Sequence, residues 1–297
     1  MSSATLASPI VVAFERRRSE LLAQRRRATL LYGGLLLVAL LVAAWVSEVS
    51  PARLADGLPR FGEYFAQTLP DLRWQHLFAG PRQEGSIAYW FYRLDQWALL
   101  LLETANIAAF ATLIGAVIAF ALSFLAARNV ATRPWLAAGV RRFLEACRTV
   151  PEIVYALIFV WAFGVGPLAG ILAIAIHSIG ALGKLFAEVI ENADLGAADG
   201  VKCAGGNWVQ QMRFGILPQV APNLLSYAIL RFEINVRGAS VIGFVGAGGI
   251  GQELYAVIAQ NYYEEISAIV VLIVLTVALI DLGSERLRRG LTDGGRA

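Results

Sequence analysis

The sequence predicts an all-α polytopic integral membrane protein with about six transmembrane helices and both termini cytoplasmic. Composition is the first observation behind this. Of 297 residues, 58% are hydrophobic and 16% charged, where a soluble domain has roughly 45–50% apolar and about 25% charged residues; mean hydropathy is +0.62. The second is a set of uncharged runs approaching or exceeding the about 20 residues that a helix needs to cross hydrocarbon. The third is charge placement. Net charge is only +3, yet the 25 basic residues, all arginine except Lys184 and Lys202, gather in blocks between the apolar runs.

Residues 1–28 form a basic cytoplasmic tail carrying Arg16, Arg17, Arg18, Arg25, Arg26 and Arg27. Beside an apolar run, such a block orients a membrane segment; a nucleic-acid-binding arm is the weaker reading. Residues 29–47 are the first span, uncharged for 17 residues from Leu30 to Val46. A secretory signal also opens with arginines. This run, however, exceeds the usual h-region of about 7–15 residues and no A-x-A site follows, so an uncleaved anchor is expected. Residues 48–96 hold five arginines against six acids, with Trp74, Trp90, Phe91 and Tyr92, which predicts a periplasmic segment containing interfacial helix.

The membrane core is expected over 97–285. Its first span, Trp97 to Ala127, has 24 uncharged residues after Glu103. Ile153 to Gly183 is uncharged for 31 residues, too many for one span and few for two. Gly164-Val165-Gly166-Pro167 divides it, because proline removes a backbone donor and glycine permits a turn, so two helices joined by a very short loop are expected. The next span, Pro218 to about Val245, contains Arg231, Glu233 and Arg237; the last runs from about Tyr262 to Leu282, with Tyr262 and Tyr263 at an aromatic belt. Residues 286–297 are a second basic tail with Arg286, Arg288, Arg289 and Arg296. Both tails and the arginine-rich stretch Arg128 to Arg148 alternate correctly to share one side, which the positive-inside rule makes the cytoplasm. Residues 247–261, on the other side, have no Lys or Arg.

The chemistry-bearing residues are sparse. Cys147, Cys203, His76 and His177 share no ligand spacing, so neither a metal site nor a disulfide framework is indicated. His177, in an apolar run, reads as a packing histidine. Glu103 and Glu152, near helix ends, read as boundary charges. Catalytic residues and cofactors are not expected, since nothing converges as nucleophile, base or ligand set. Gly246-x-Gly248-x-x-Gly251 matches a dinucleotide fingerprint on paper. That motif works only inside a βαβ unit, and both flanks here are membrane helices, so close backbone packing and a sharp re-entry on the outer face are expected instead. No Gly-rich loop ends in Gly-Lys-Ser/Thr, so the chain offers no P-loop.

The polar segment Ala198 to Gln219 interrupts the apolar runs. Asp199 supplies an acid for the start of a short helix, Gly205-Gly206 breaks it, and Asn207 caps a second helix running toward Leu217-Pro218. Two short helices at an angle, held against the membrane, are expected. The frame Asp199-Gly200-Val201, three residues, Gly205, nine residues, Gly215-Ile216-Leu217-Pro218 resembles the cytoplasmic coupling loop of permeases of binding-protein-dependent ABC importers, whose pattern is E-A-A, three residues, Gly, nine residues, I-x-L-P. Asp replaces Glu, Gly and Val replace two alanines, and Gly215 stands at the first Ile. Residues 101–129, 148–194 and 217–251 are similar to phosphonate-type permeases; "HSIGALGKLFAEVIE" and "RFEIN" fit that group better than the methionine-type one.

The resemblance implies a permease core at 97–285 with its coupling loop at 191–218, in which Asp199, Gly200, Val201, Lys202, Gly205, Leu217 and Pro218 meet the motor. It implies two ABC ATPase subunits, a second permease copy, a periplasmic substrate-binding protein and a phosphonate-like anion as partners, with no nucleic acid. It implies that ATP hydrolysis belongs to the partner, so the chain is a transporter subunit, not an enzyme. Arg231, Glu233 and Arg237 are candidates for the translocation path, since intramembrane charges are costly and face a cavity or one another. Glu233 and Arg237, four residues apart, share a helical face, so a structural ion pair is the competing reading. A methionine-type or other small-solute permease is the alternative, and a secondary carrier a more distant one, because no internal repeat is evident.

Overall fold

A computed structural model describes residues 9–293; residues 1–8 of the basic tail, and Arg296, lie outside them. In chain order the helices are α1 (Pro9–Val46), α2 (Pro51–Thr68), the single turn α3 (Ile87–Trp90), α4 (Leu94–Ala126), α5 (Pro134–Thr149), α6 (Glu152–Phe163) and α7 (Pro167–Glu191). They continue with α8 (Gly196–Cys203), α9 (Trp208–Gln210), α10 (Leu217–Ile242), α11 (Ile250–Ala259) and α12 (Tyr263–Asp293). No strand occurs among the described residues. The chain divides into two units, residues 1–66 and 67–297.

The first unit consists of α1 and most of α2. Helix α1 runs without a break from the arginine block into the apolar run, so the tail from Pro9 onward and the anchor are one helix. Helix α2 is amphipathic: Leu54, Leu58, Phe61 and Phe65 recur at helical spacing and are exposed, while Arg53, Asp56, Arg60 and Glu63 occupy the other side.

In the second unit, α4 and α7 form the central pair. Small residues let their backbones approach: Ala108, Ala111 and Ala119 on α4 and Ala173 and Ala175 on α7 are buried, and a Cβ at Gly115 would lie 2.7 Å from the Ser178 Cβ. In a bilayer, where lipid is as apolar as leucine, such close van der Waals packing is what holds helices together. Among the described residues, α1, α4, α7 and α12 are each long and apolar enough to cross a membrane. Two bent pairs, α5 with α6 and the helix ending at Val245 with α11, bring the number to six if each pair is one span.

Two expectations need correction. The stretch beginning at Ile153 does form two helices about the Gly164–Pro167 turn, but α6 has only 12 residues, roughly 18 Å at 1.5 Å per residue, against the about 30 Å of a hydrocarbon core. It makes a span only together with α5, from which it turns by 82°. Nor are there two separate short helices before Pro218. Only α8 stands apart; α9, a π-helical stretch Gln211–Ile216 and α10 form one uninterrupted helix.

The bundle has two distinct ends. At one, the Arg128 N–H donates to the Glu191 carboxylate at 2.7 Å and Asn129 Nδ2 donates to the Ile190 carbonyl at 2.9 Å, closing the ends of α4 and α7 together. At the other, the Gly166 N–H donates to the Gly246 carbonyl at 2.9 Å and the Ile250 N–H to Thr104 Oγ1 at 2.9 Å. The glycines of the fingerprint serve close approach there: a Cβ at Gly251 would collide with the Ser240 carbonyl oxygen. Tyr92, in the turn before α4, donates to the Glu265 carboxylate at 2.7 Å. Burial, with this carboxylate beside it, pushes its phenol above the ordinary tyrosine value, so it stays a donor.

Candidate functional site

Helix α8 is eight residues long and carries Asp199 in its first turn and Lys202 in its last, which complements the helix dipole at both ends. Its termination is local. Gly205 sits at φ +85°, its N–H bonds the Lys202 carbonyl at 3.0 Å, and the Gly206 N–H bonds the Val201 carbonyl at 2.9 Å. This paired bond pattern with a left-handed residue is the Schellman ending. Asn207 then caps the next helix reciprocally: its side chain accepts from the Gln210 N–H at 2.9 Å, and the Gln210 side chain accepts from the Asn207 N–H at 2.8 Å.

The π stretch follows from Pro218. In a regular helix, proline removes one backbone bond and its ring crowds the carbonyl four residues back. Here the turn is widened, and the Leu217 N–H reaches back to the Met212 carbonyl, five residues away. The Gly215 carbonyl is taken by Gln219 Nε2 at 2.7 Å, which also donates to the Asp194 carbonyl at 2.9 Å.

The elbow is fastened to the bundle on three sides. A Cβ at Gly215 would lie 2.6 Å from the Ala198 Cα, so α8 and the π stretch touch backbone to backbone. Ala198, Met212 and Ile216 are buried in one cluster with Phe186 and Ile190 of α7. Trp208 Nε1 donates to the Val130 carbonyl at 2.8 Å, joining the elbow to the connection after α4. Of the coupling candidates, Asp199, Gly200, Lys202, Gly205 and Pro218 are exposed, while Val201 and Leu217 are half-buried. Among the described residues, no ion pair or side-chain hydrogen bond engages Asp199 or Lys202. The result is a rigid knob with an outward-facing acid and base.

The three intramembrane charges do not act together. Glu233 pairs with Arg237 at 2.6 Å, Arg237 also reaches Asp281 of α12 at 3.1 Å, and Arg288 of α12 lies 3.7 Å from Glu233. These four tie α10 to α12. Two residues apart on a helix means about 200° of rotation, and Arg231 accordingly faces away. Its side chain is only 12% exposed, its Nε donates to Ser178 Oγ at 3.1 Å, and Glu152 at the start of α6 lies 4.0 Å from it.

Sequence reasoning missed the residue at the centre of this region. Asn235 is fully buried; its Nδ2 donates to Thr112 Oγ1 at 2.8 Å and to Ser178 Oγ at 2.9 Å, joining α4, α7 and α10 through one side chain. An amide within an apolar helix was the available signal. Glu103 also does more than mark a boundary, since its carboxylate accepts from the Gly249 N–H at 3.3 Å. His177 is a packing histidine, 3.2 Å from the Val150 carbonyl. Both cysteines are free, Cys147 buried and Cys203 exposed.

Comparison with known proteins agrees with this architecture. Residues 111–292 match the family model described as binding-protein-dependent transport system inner membrane component. The chain is 35% identical to the Phosphite transport system permease protein PtxC of Stutzerimonas stutzeri over 85% of both chains. It is 34% identical to the Phosphate-import permease protein PhnE of Mycolicibacterium smegmatis, over 87% of this chain and 45% of that one. Among solved structures, an inward-facing form of the MetNI methionine ABC transporter superposes with a TM-score of 0.59 at 20% identity, covering 67% of this chain and 98% of that chain. At that identity the likeness is one of fold.

Proposed function

Because this chain belongs to the family of binding-protein-dependent transport system inner membrane components, we propose that it is the membrane-spanning permease subunit of an ATP-driven importer for phosphonate or a related phosphorus oxyanion. The observation that carries the substrate class is the 35% identity, over 85% of both chains, to a phosphite transport system permease. Inner-membrane placement goes with the family and with the long apolar helices.

In this reading the α8 elbow lies in the cytoplasm with both termini, and two ATPase subunits dock on the elbows of two permease copies. A periplasmic substrate-binding protein delivers the anion to the glycine-turn end, and α2 lies along the outer membrane surface. The arrangement of the elbow supports its role. A push on Asp199 and Lys202 cannot be absorbed locally, because α8 meets the π stretch backbone to backbone at Gly215 and that stretch is continuous with α10. The displacement enters α10 and, through Trp208, the connection to α5. Alternating access needs this kind of rigid transmission. Arg231, Glu233 and Arg237, the charged residues of α10, are the candidates for the anion's path.

The test is reconstitution. Vesicles holding the permease with its ATPase and delivery protein are expected to accumulate phosphite, phosphonate or phosphate only when ATP is supplied on the elbow side. Uptake without the ATPase, or uptake of sulfate in preference to every phosphorus oxyanion, rejects the assignment.

A further inference from the structure

A cleft of about 470 Å³ opens beside α5, lined by Arg128 of the connection from α4 and by Pro134, Ala138, Arg141, Arg142 and Glu145 along one face of the helix. Its depth is fixed by two contacts of Arg141. Nε donates to the carbonyl of Ala126, the last residue of α4, at 2.7 Å, and the guanidinium pairs with Glu191, the last residue of α7. The cleft therefore lies where two membrane-crossing helices end, at headgroup level.

Its charge is not balanced internally. Arg141 is held by Glu191 and Arg142 by Glu145 at 2.5 Å, whereas among the described residues the exposed Arg128 side chain has no ion pair. Counting Arg133 beside the cleft, four guanidinium groups stand against two carboxylates, an excess of positive charge. The first turn of α5, whose N-cap residue Arg133 provides no side-chain cap, adds the positive end of a helix dipole. Beside the cleft, Trp135 and Phe143 are 66% and 52% exposed, and the Arg133 guanidinium sits 6.0 Å from the Trp135 ring. Aromatic rings next to arginines at the end of a bundle are the composition of a membrane–water boundary.

We propose that this cleft is a phosphate-group site, occupied by the headgroup of an anionic phospholipid from the leaflet around the ends of α4 and α7. Guanidinium groups match phosphate oxygens through paired N–H donors, and basic pockets between membrane helices hold lipid headgroups in this way. The excess positive charge suits a phosphate-bearing anion, and the place of the cleft at the ends of α4 and α7 makes the lipid leaflet its source.

The full chain, purified in detergent, is titrated with phosphatidylglycerol, phosphatidylcholine and inorganic phosphate, while native mass spectrometry counts bound ligand and thermal unfolding is followed. Phosphatidylglycerol is expected to bind and to raise the unfolding temperature; the other two are not. The double variant Arg128→Ala with Arg142→Ala should bind phosphatidylglycerol about thirtyfold more weakly, at about a tenfold factor per 1.4 kcal/mol and about 1 kcal/mol per arginine near a lipid surface. Arg60→Ala with Arg82→Ala removes the same charge elsewhere and should bind as the wild type does. Glu145→Gln, which frees Arg142, should bind more tightly. Equal affinity of the Arg128/Arg142 variant overturns the site, and saturation by inorganic phosphate without preference for phosphatidylglycerol overturns the lipid as its occupant.

Discussion

Single residues set how the elbow and the bundle hold together. Gly205 occupies a left-handed conformation, which costs an ordinary L residue about 1–2 kcal/mol, so Gly205→Ala should fray α8. Hydrogen exchange of the amides from 199 to 206 is expected to accelerate about tenfold, with the rest of the chain unchanged. Asn235→Ala removes the one side chain shared by α4, α7 and α10, and hydrogen bonds between membrane helices contribute about 1–2 kcal/mol in model systems. A lower unfolding temperature in nanodiscs is the expected outcome, and an unchanged one means that the Asn235 junction does not stabilise the three helices. For Arg237→Ala the expectation is reduced uptake in an assembled complex; wild-type uptake in vesicles removes Arg237 from the path. The sequence made the i,i+4 pairing of Glu233 and Arg237 readable, because spacing within one helix is local. The attachment of Arg231 to Ser178, 53 positions away, and the junction at Asn235 were not readable, because which helices become neighbours is a property of the bundle.

Among the elements, the α8 ending was legible to the residue. A Gly-Gly pair followed by a capping asparagine encodes its own local hydrogen bonds. What followed was less legible. Pro218 reads as a helix start, and nothing nearby announces that a five-residue hydrogen-bond reach lets the helix pass through it. The short α6 was obscured for a similar reason: hydropathy counts apolar residues but does not see an 82° turn. Trp208→Phe keeps the ring in its half-buried site and removes only the N–H that bonds the Val130 carbonyl. Its expected phenotype is ATP hydrolysis close to wild type with less anion imported per ATP, read from paired hydrolysis and uptake assays. A parallel fall in both places Trp208 in assembly instead of transmission.

For the whole molecule, the blocks of arginine predicted which segments share a side, and the native thiols offer a check that requires no substitution. Cys203 on α8 is exposed and Cys147 is buried. A membrane-impermeant maleimide is expected to label the chain at Cys203 in inverted vesicles and not in intact cells, and added ATPase subunit should protect it. Labelling from the outside of intact cells reverses the orientation. The long apolar helices were legible because hydrocarbon thickness is a hard physical scale; the pairing of α4 with α7 was not, since small residues are scattered through every apolar run here. The π stretch has one last corollary. A wide turn holds one surplus residue relative to ordinary winding, so excising a single amino acid between Gln211 and Ile216 should close the turn to α spacing and press the Pro218 ring against the carbonyl four residues back. The knob should keep its compass direction around the axis of α10, because a bulge absorbs its extra residue within the turn, and the shortened chain should instead bend at Pro218.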